Sequence, residues 1–304
     1  MSQASKAVVT GASGLIGREL VDLLLRKGVA VTAIDKAPAL ISDVEFVELD
    51  LSVPGDLSSW LDSDTTIYHL AASADVRQSV AEPRHDFANT LYPFFEVLEA
   101  ARKTGARVVF PSTASVFDPR ATLPLNECSA KLPSSPYAAA KLACEAYSVA
   151  YHRAYGVDVR IARMFSVYGP SMTRLAIHDI IRKLERDPTR VEILGDGTQV
   201  RDYLHVRDAA RGLEMIAARG AAGEDYNLAS GVPVTLTELT REIAKQMGCG
   251  DVTIEPTGES FPGDTQKWYA SISKIRSLGF EPTITLEAGL AETIDAVRSR
   301  PLVT

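Results

Sequence analysis

The sequence predicts a doubly wound, parallel α/β sheet, and three observations carry that prediction. The stretch KAVVTGASGLIGRELVDLLLRKGVAVTAID (6–35) reads as a β-branched strand, a glycine-punctuated turn, an amphipathic helix and a second apolar strand, the length of one βαβ unit. Short apolar runs then recur at FVEL (46–49), TIYHLAA (66–72), RVVFPS (107–112) and VDVRIARMF (157–165), with helical segments between them. Runs this apolar suit strands buried on both faces, as in a parallel sheet covered by helices. A length of 304 residues leaves room for one large α/β unit or for a main domain with a lobe.

In the first helix, Leu15, Ile16, Leu20, Leu23 and Leu24 form an apolar stripe that Gly28 terminates. The turn before it carries Gly11, Gly14 and Gly17, a G-x-x-G-x-x-G spacing that follows a strand and opens a helix. An acid, Asp35, ends the next strand about 20 residues on, the context that a dinucleotide-binding turn requires. Small residues let the backbone approach a pyrophosphate, the helix N-terminus favours its charge, and a carboxylate accepts from ribose hydroxyls. An acid there repels a 2′-phosphate, which favours NAD over NADP; Lys36 beside it weakens that discrimination.

Further along, SSPYAAAKLACE (134–145) predicts a helix start, with Ser134 or Ser135 as cap and Pro136 in the first turn. Tyr137 and Lys141, four apart, share one face of it. Alone, the pair reads more readily as a surface helix with an amphipathic tyrosine and a solvated lysine than as a catalytic pair.

Hydrophobic residues make up 46% of the chain, enough for a real core, and charged residues 23%, with a net of −7. The basic residues are scattered, which argues against a nucleic-acid partner. Cys128, Cys144 and Cys249, and the histidines at 69, 85, 152, 178 and 205, show no ligand spacing, so neither a disulfide framework nor a metal site is expected. No apolar run is long enough to span a bilayer and the start MSQASK lacks signal-peptide features, which predicts a cytoplasmic protein with no membrane partner.

Several motifs then occur in order: GASGLIG (11–17), Asp50-Leu51, HLAA (69–72), STASVF (112–117), YAAAK (137–141), MFSVYGP (164–170), GDGTQVRDYLHVRD (195–208), YNLASGVPVTLTEL (226–239) and FPGDTQKWYASISKIRSLGF (261–280). Together they resemble the extended short-chain dehydrogenase/reductases, in particular the NAD-dependent nucleotide-sugar epimerases and dehydratases, over almost the full chain. The resemblance implies a Rossmann domain over 1–165, with 204–217 returning to it, and a smaller C-terminal α/β lobe over 166–304 that holds a nucleotide sugar. It places NAD against Gly11, Ser13, Gly14, Leu15, Ile16 and Gly17, then Asp35, Asp50, Leu51, Leu70, Ala71 and Ala72, and finally Asn89, Tyr137, Lys141 and Phe165. It makes Tyr137 the catalytic base, Lys141 its electrostatic partner and Thr113 a hydrogen-bonding helper. A free phenol titrates near ~10; the Lys141 ammonium and the nicotinamide cation are expected to lower that value.

The dehydratases of this family carry Thr-Asp-Glu where this chain has Thr113-Ala114-Ser115, so no acid is placed for elimination. That leaves 4-epimerisation through a 4-keto sugar as the expected reaction. A 4-ketoreductase or dehydratase on the same scaffold is the alternative, and a non-catalytic NAD-binding regulator the second. For the substrate, the resemblance points to Ser115, Ser166, Arg201, Asp264 and Trp268: Arg201 on the diphosphate, Asp264 on a ribose. Phe261 stands where relatives have an arginine, and Arg174 is the candidate to compensate. The bulk of Trp268 disfavours N-acetylated sugars, leaving a UDP-hexose or UDP-uronic acid. Helices over 86–103 and 136–155 are expected to pair in a homodimer through Phe87, Leu91, Phe94, Leu98, Leu142, Ala146 and Val149.

Overall fold

The computed structural model describes residues 6–38, 44–259, 263 and 265–301. In its first half strands alternate with helices: β1 (Lys6–Thr10), α1 (Leu15–Arg26), β2 (Ala30–Asp35), β3 (Glu45–Glu48), β4 (Thr65–His69), α2 (Val76–Ala81), α3 (Pro83–Thr104), β5 (Arg107–Thr113), α4 (Pro136–Tyr155) and β6 (Val159–Met164). The second half holds β7 (Ser166–Tyr168), α5 (Leu175–Arg186), β8 (Arg190–Ile193), β9 (Val200–His205), α6 (Val206–Arg219) and β10 (Asp225–Leu228). It ends with β11 (Pro233–Thr235), α7 (Leu236–Gln246), β12 (Thr253–Pro256), α8 (Ser273–Arg276) and α9 (Leu286–Arg298).

Seven strands form one sheet in the order β10-β6-β5-β4-β1-β2-β3, every pair parallel. All five residues of β4 and all six of β6 are buried, as befits strands covered on both faces. The chain winds outward from β1 through β2 to β3, then resumes at β4 on the other side of β1. The strand order therefore reverses between β1 and β4, and a crevice opens there at the carboxyl ends of the strands.

The caps follow the local sequence. Ser135 accepts from the Ala138 amide at 3.2 Å and Pro136 opens α4, while α3 and α4 stop at Gly105 and Gly156, both with positive φ. α6 packs against α1, and β10 joins the sheet beside β6, so the return to the first sheet covers 206–228 and reaches past 217. The reason lies in β10, whose YNL (226–228) is fully buried and fits only inside a covered sheet. The remainder forms a three-stranded sheet, β11-β9-β7, and a two-stranded one, β12-β8. α5, α7 and α9 close over a separate core around Ile177, Ile181, Leu239, Ile243 and Leu290.

One expectation is corrected. Phe94 and Leu98 are fully buried against the chain's own sheet and have no surface to offer a partner; the exposed aromatics on α3 and α4 are Phe87, Phe95, Tyr147 and Tyr155. Among the described residues, no helix is long and apolar enough to cross a membrane.

Candidate active site

A cleft of about 570 Å³ lies at the reversal of strand order, within the range of ligand pockets. One wall is backbone. Gly11 sits at φ +67°, and a Cβ there would come within 2.6 Å of the Ala71 nitrogen and 2.7 Å of the Leu70 carbonyl carbon. At Gly17 a Cβ would run into the Gly11 carbonyl oxygen and lie 2.8 Å from the Ala12 Cα, so the first turn of α1 can pack on β1 only without a side chain. Gly14 precedes α1 and no side chain caps that helix, which leaves its first-turn amides for an anion. Asp35 accepts from the Ser13 and Ala37 amides, each at 2.9 Å, pinning the glycine turn to the end of β2. A carboxylate has lone pairs beyond those two, so it can still accept from ribose hydroxyls. Asp50 is held below the usual carboxylate range by the Ser52 hydroxyl and amide, and Lys36 Nζ donates to Asn89 Oδ1 at 3.1 Å. A tight glycine cradle, an uncapped helix start and a strand-end carboxylate fit a dinucleotide.

Deeper in the cleft, Thr113 ends β5 while Tyr137 and Lys141 project from the first turns of α4. Tyr137 and Thr113 line the cleft together, the Thr113 hydroxyl close enough to favour the Tyr137 phenolate. Lys141 is buried, donates to the Pro111 carbonyl at 2.8 Å and sits 4.6 Å from the centre of the Phe110 ring. Burial pushes the Lys141 ammonium down to about 8, partly offset by Cys144, Asp86 and Glu145. Burial likewise pushes the Tyr137 phenol up to about 12, against the influence of the neighbouring Thr113 hydroxyl and the Arg174 guanidinium. In the protein alone, without the nicotinamide cation on which the expected lowering depends, loss of solvation outweighs the charges that favour the phenolate.

All of the residues expected to hold the cofactor, from Gly11 through Phe165, line this one cleft, as does Thr113. The substrate candidates are placed differently. Ser115 turns back on Thr113, its amide donating to the Thr113 hydroxyl at 3.2 Å. Ser166 is in β7, paired with Tyr203 of β9. The Arg201 guanidinium stacks 4.5 Å from the centre of the Trp268 ring and donates to the Val200 and Gln266 carbonyls. None of these four lines the 570 Å³ cleft, and Asp264 and Phe261 lie outside the described residues. What lines its far side is the loop 171–175, in which Leu175 adopts φ +74° and Arg174 donates across the opening to the Asp75 carboxylate and the Ala74 carbonyl. Apart from Arg174, sequence reasoning missed this loop; its one signal is its position directly after MFSVYGP. Ser112 and Met164 were also missed, although each directly precedes a residue that was not.

A parallel sheet with a dinucleotide cradle at its reversal point, and a Tyr/Lys/Thr cluster facing that cradle, defines an NAD-binding enzyme of the short-chain dehydrogenase/reductase type. The comparison with known proteins narrows this. The family model described as the NAD dependent epimerase/dehydratase family matches residues 7–229, and the chain belongs to that family, with NAD as its cofactor. It is 31% identical over 316 residues to the UDP-glucose 4-epimerase of Mycolicibacterium smegmatis, covering 97% of this chain and 99% of the relative. Over 312 residues it is 30% identical to a dTDP-glucose 4,6-dehydratase of Streptomyces niveus, covering 96% and 93%. Among solved structures it matches the UDP-N-acetylglucosamine 4-epimerase of Methanobrevibacter ruminantium M1, in complex with UDP-N-acetylmuramic acid, with a TM-score of 0.89 at 30% identity over 98% of this chain and 99% of that one.

Proposed function

We propose that the protein is an NAD-dependent 4-epimerase of a nucleotide sugar, a UDP-hexose or a UDP-uronic acid. The observation that carries this is the Tyr137–Thr113–Lys141 cluster facing the cofactor cleft, followed by Ala114 and Ser115 and so by no acid able to drive elimination. Bound NAD supplies a reversible hydride acceptor. Tyr137 takes the proton of the 4-hydroxyl as the carbon beneath it is oxidised, and returns a proton after the 4-keto sugar has turned over to present its other face. Thr113 holds the same oxygen by hydrogen bonding. Lys141, with a pKa of about 8, is still largely charged at neutral pH and favours the phenolate. Releasing the Tyr137 proton near pH 7 from a starting value of about 12 needs roughly 7 kcal/mol of differential stabilisation, to which Lys141 and the positive nicotinamide ring both contribute.

On the substrate side, Arg201 supplies a fork for the diphosphate, with Arg174 as a second cation; Asp264 accepts from the ribose. Ser115 and Ser166 contact the sugar and Trp268 limits its bulk. The division into 1–165 and 166–304, with a returning segment, assigns cofactor and sugar nucleotide to opposite walls. The exposed Phe87, Phe95, Tyr147 and Tyr155 support a homodimer through α3 and α4, and a cytoplasmic location belongs to the same reading.

Incubating the purified protein with UDP-glucose, UDP-galactose, UDP-glucuronate and UDP-N-acetylglucosamine, without added cofactor, tests the proposal. The expected result is the C4 stereoisomer of a non-acetylated sugar, with no net change in the reduced nicotinamide. A 4-keto-6-deoxy product, stoichiometric NAD(P)H consumption, or no conversion of any sugar contradicts it.

A further inference from the structure

Behind the catalytic groups lies a buried polar network that none of the steps above uses. Three residues spaced four apart on one face of α4 meet the three successive residues that end β5. Tyr137 stands beside Thr113, Lys141 Nζ donates to the Pro111 carbonyl at 2.8 Å, and Ser112 Oγ donates to Glu145 Oε1 at 2.6 Å. Glu145 is 5% exposed and Arg163, on β6, 3%. Arg163 grips both carboxylate oxygens of Glu145, Nε to Oε1 at 2.9 Å and Nη2 to Oε2 at 2.8 Å, and continues to the Glu127 carbonyl at 3.0 Å and to Asp225 of β10. Burying a carboxylate and a guanidinium is a costly way to dock a helix on a sheet; apolar side chains of similar volume do so at less expense. What the ion pair adds is direction, because a two-pronged fork tolerates little sliding or rotation.

We propose that Glu145 is a positioning residue for the epimerisation: clamped between Ser112 and Arg163, it fixes how α4 is slid and rotated against the end of β5, and so where the Tyr137 hydroxyl stands relative to Thr113. The inference rests on the epimerase reading. A catalytic group displaced by about 1 Å can lose on the order of 100-fold in rate, so a clamp one helical turn beyond Lys141 acts on turnover without touching the substrate.

The test uses the NAD-loaded full chain and two variants. Glu145→Gln keeps the shape but removes the charge, and Ser112→Ala leaves the Glu145–Arg163 pair in place while cutting its tie to β5. The expected outcome is a kcat lowered about 10- to 100-fold in Glu145→Gln and about 3- to 10-fold in Ser112→Ala, with KM within about twofold and a normal NAD content. A purely structural role would lower the thermal midpoint and yield while leaving the kcat of the folded, NAD-loaded fraction at the wild-type value, and that result overturns the proposal. Should Glu145→Gln not fold, Ser112→Ala decides alone: a reduced kcat with KM and NAD content unchanged supports the clamp, and a wild-type kcat, or a loss of NAD or a raised KM from the cleft that Ser112 lines, refutes it. If the wild type converts no UDP-sugar, both readings fall; if it is active and the variants match it, only the positioning role falls.

Discussion

On the side of β1 and α1 the cleft presents backbone: the Gly11 and Gly17 positions admit no Cβ, and the uncapped start of α1 faces the space where a pyrophosphate fits. On the side of β7 and α5 it presents loop side chains, among them Arg174, held by exposed hydrogen bonds to Asp75 and Ala74. The first wall is fixed by sterics and has few alternatives. The second depends on where flexible side chains reach, and a single substitution re-aims it. Chemistry held by the rigid wall and the α4–β5 junction should therefore be lost by small changes, whereas specificity held by the lobe should be retuned by them.

The largest expected effect is at the junction. Tyr137→Phe should lower kcat about 1,000-fold while the purified protein still carries NAD, measured by turnover and by the bound-cofactor spectrum. Next, Gly17→Ala drives a methyl group into the Gly11 carbonyl and Ala12, which should cost about 1–3 kcal/mol of stability and leave the protein without NAD; a variant that retains wild-type NAD would break the contrast between the walls. In the lobe, Arg201→Ala should raise KM about 10-fold with kcat within about twofold, the signature of lost uniform binding. A fall in kcat with unchanged KM would instead move Arg201 into the reaction.

The smallest effect concerns Lys141 in NAD-free protein. Its folded value, about 8, lies below its ordinary 10.5, so between those pH values the unfolded chain binds more protons and stability rises with pH. Compared with Lys141→Met, the wild type should therefore gain about a few °C in relative thermal midpoint between pH 7.5 and 10 as the buried charge is discharged. A constant difference across that range would mean that Lys141 is not desolvated.

The same contrast decides what could be read from the sequence. Gly11, Gly14, Gly17 and Asp35 were legible because a backbone site constrains residue type and spacing together, and both are one-dimensional. Periodicity put Tyr137 and Lys141 on one helix face, but only the resemblance carried by YAAAK gave them roles; Ser135 was legible through cap chemistry. By contrast, Phe94 and Leu98 looked like interface residues because an apolar stripe does not say which of two surfaces covers it; the sheet does. The desolvation that raises the Tyr137 phenol in the protein alone comes from the surroundings of the cleft, which spacing along one helix cannot express. Arg201 and Trp268 lie 67 positions apart, and their stack became visible only in three dimensions.

The most direct test follows the hydrogen that the proposed chemistry moves. A UDP-sugar carrying deuterium at C4 is incubated with the purified protein, and the product is read by NMR and mass spectrometry. The account predicts the C4 epimer with its deuterium still on C4, because bound NAD would serve as both acceptor and donor of that hydride without exchange with water, while Tyr137 handles only the exchangeable proton of the 4-hydroxyl. Deuterium lost to solvent, or appearing at C6 of a 4-keto-6-deoxy product, would contradict it.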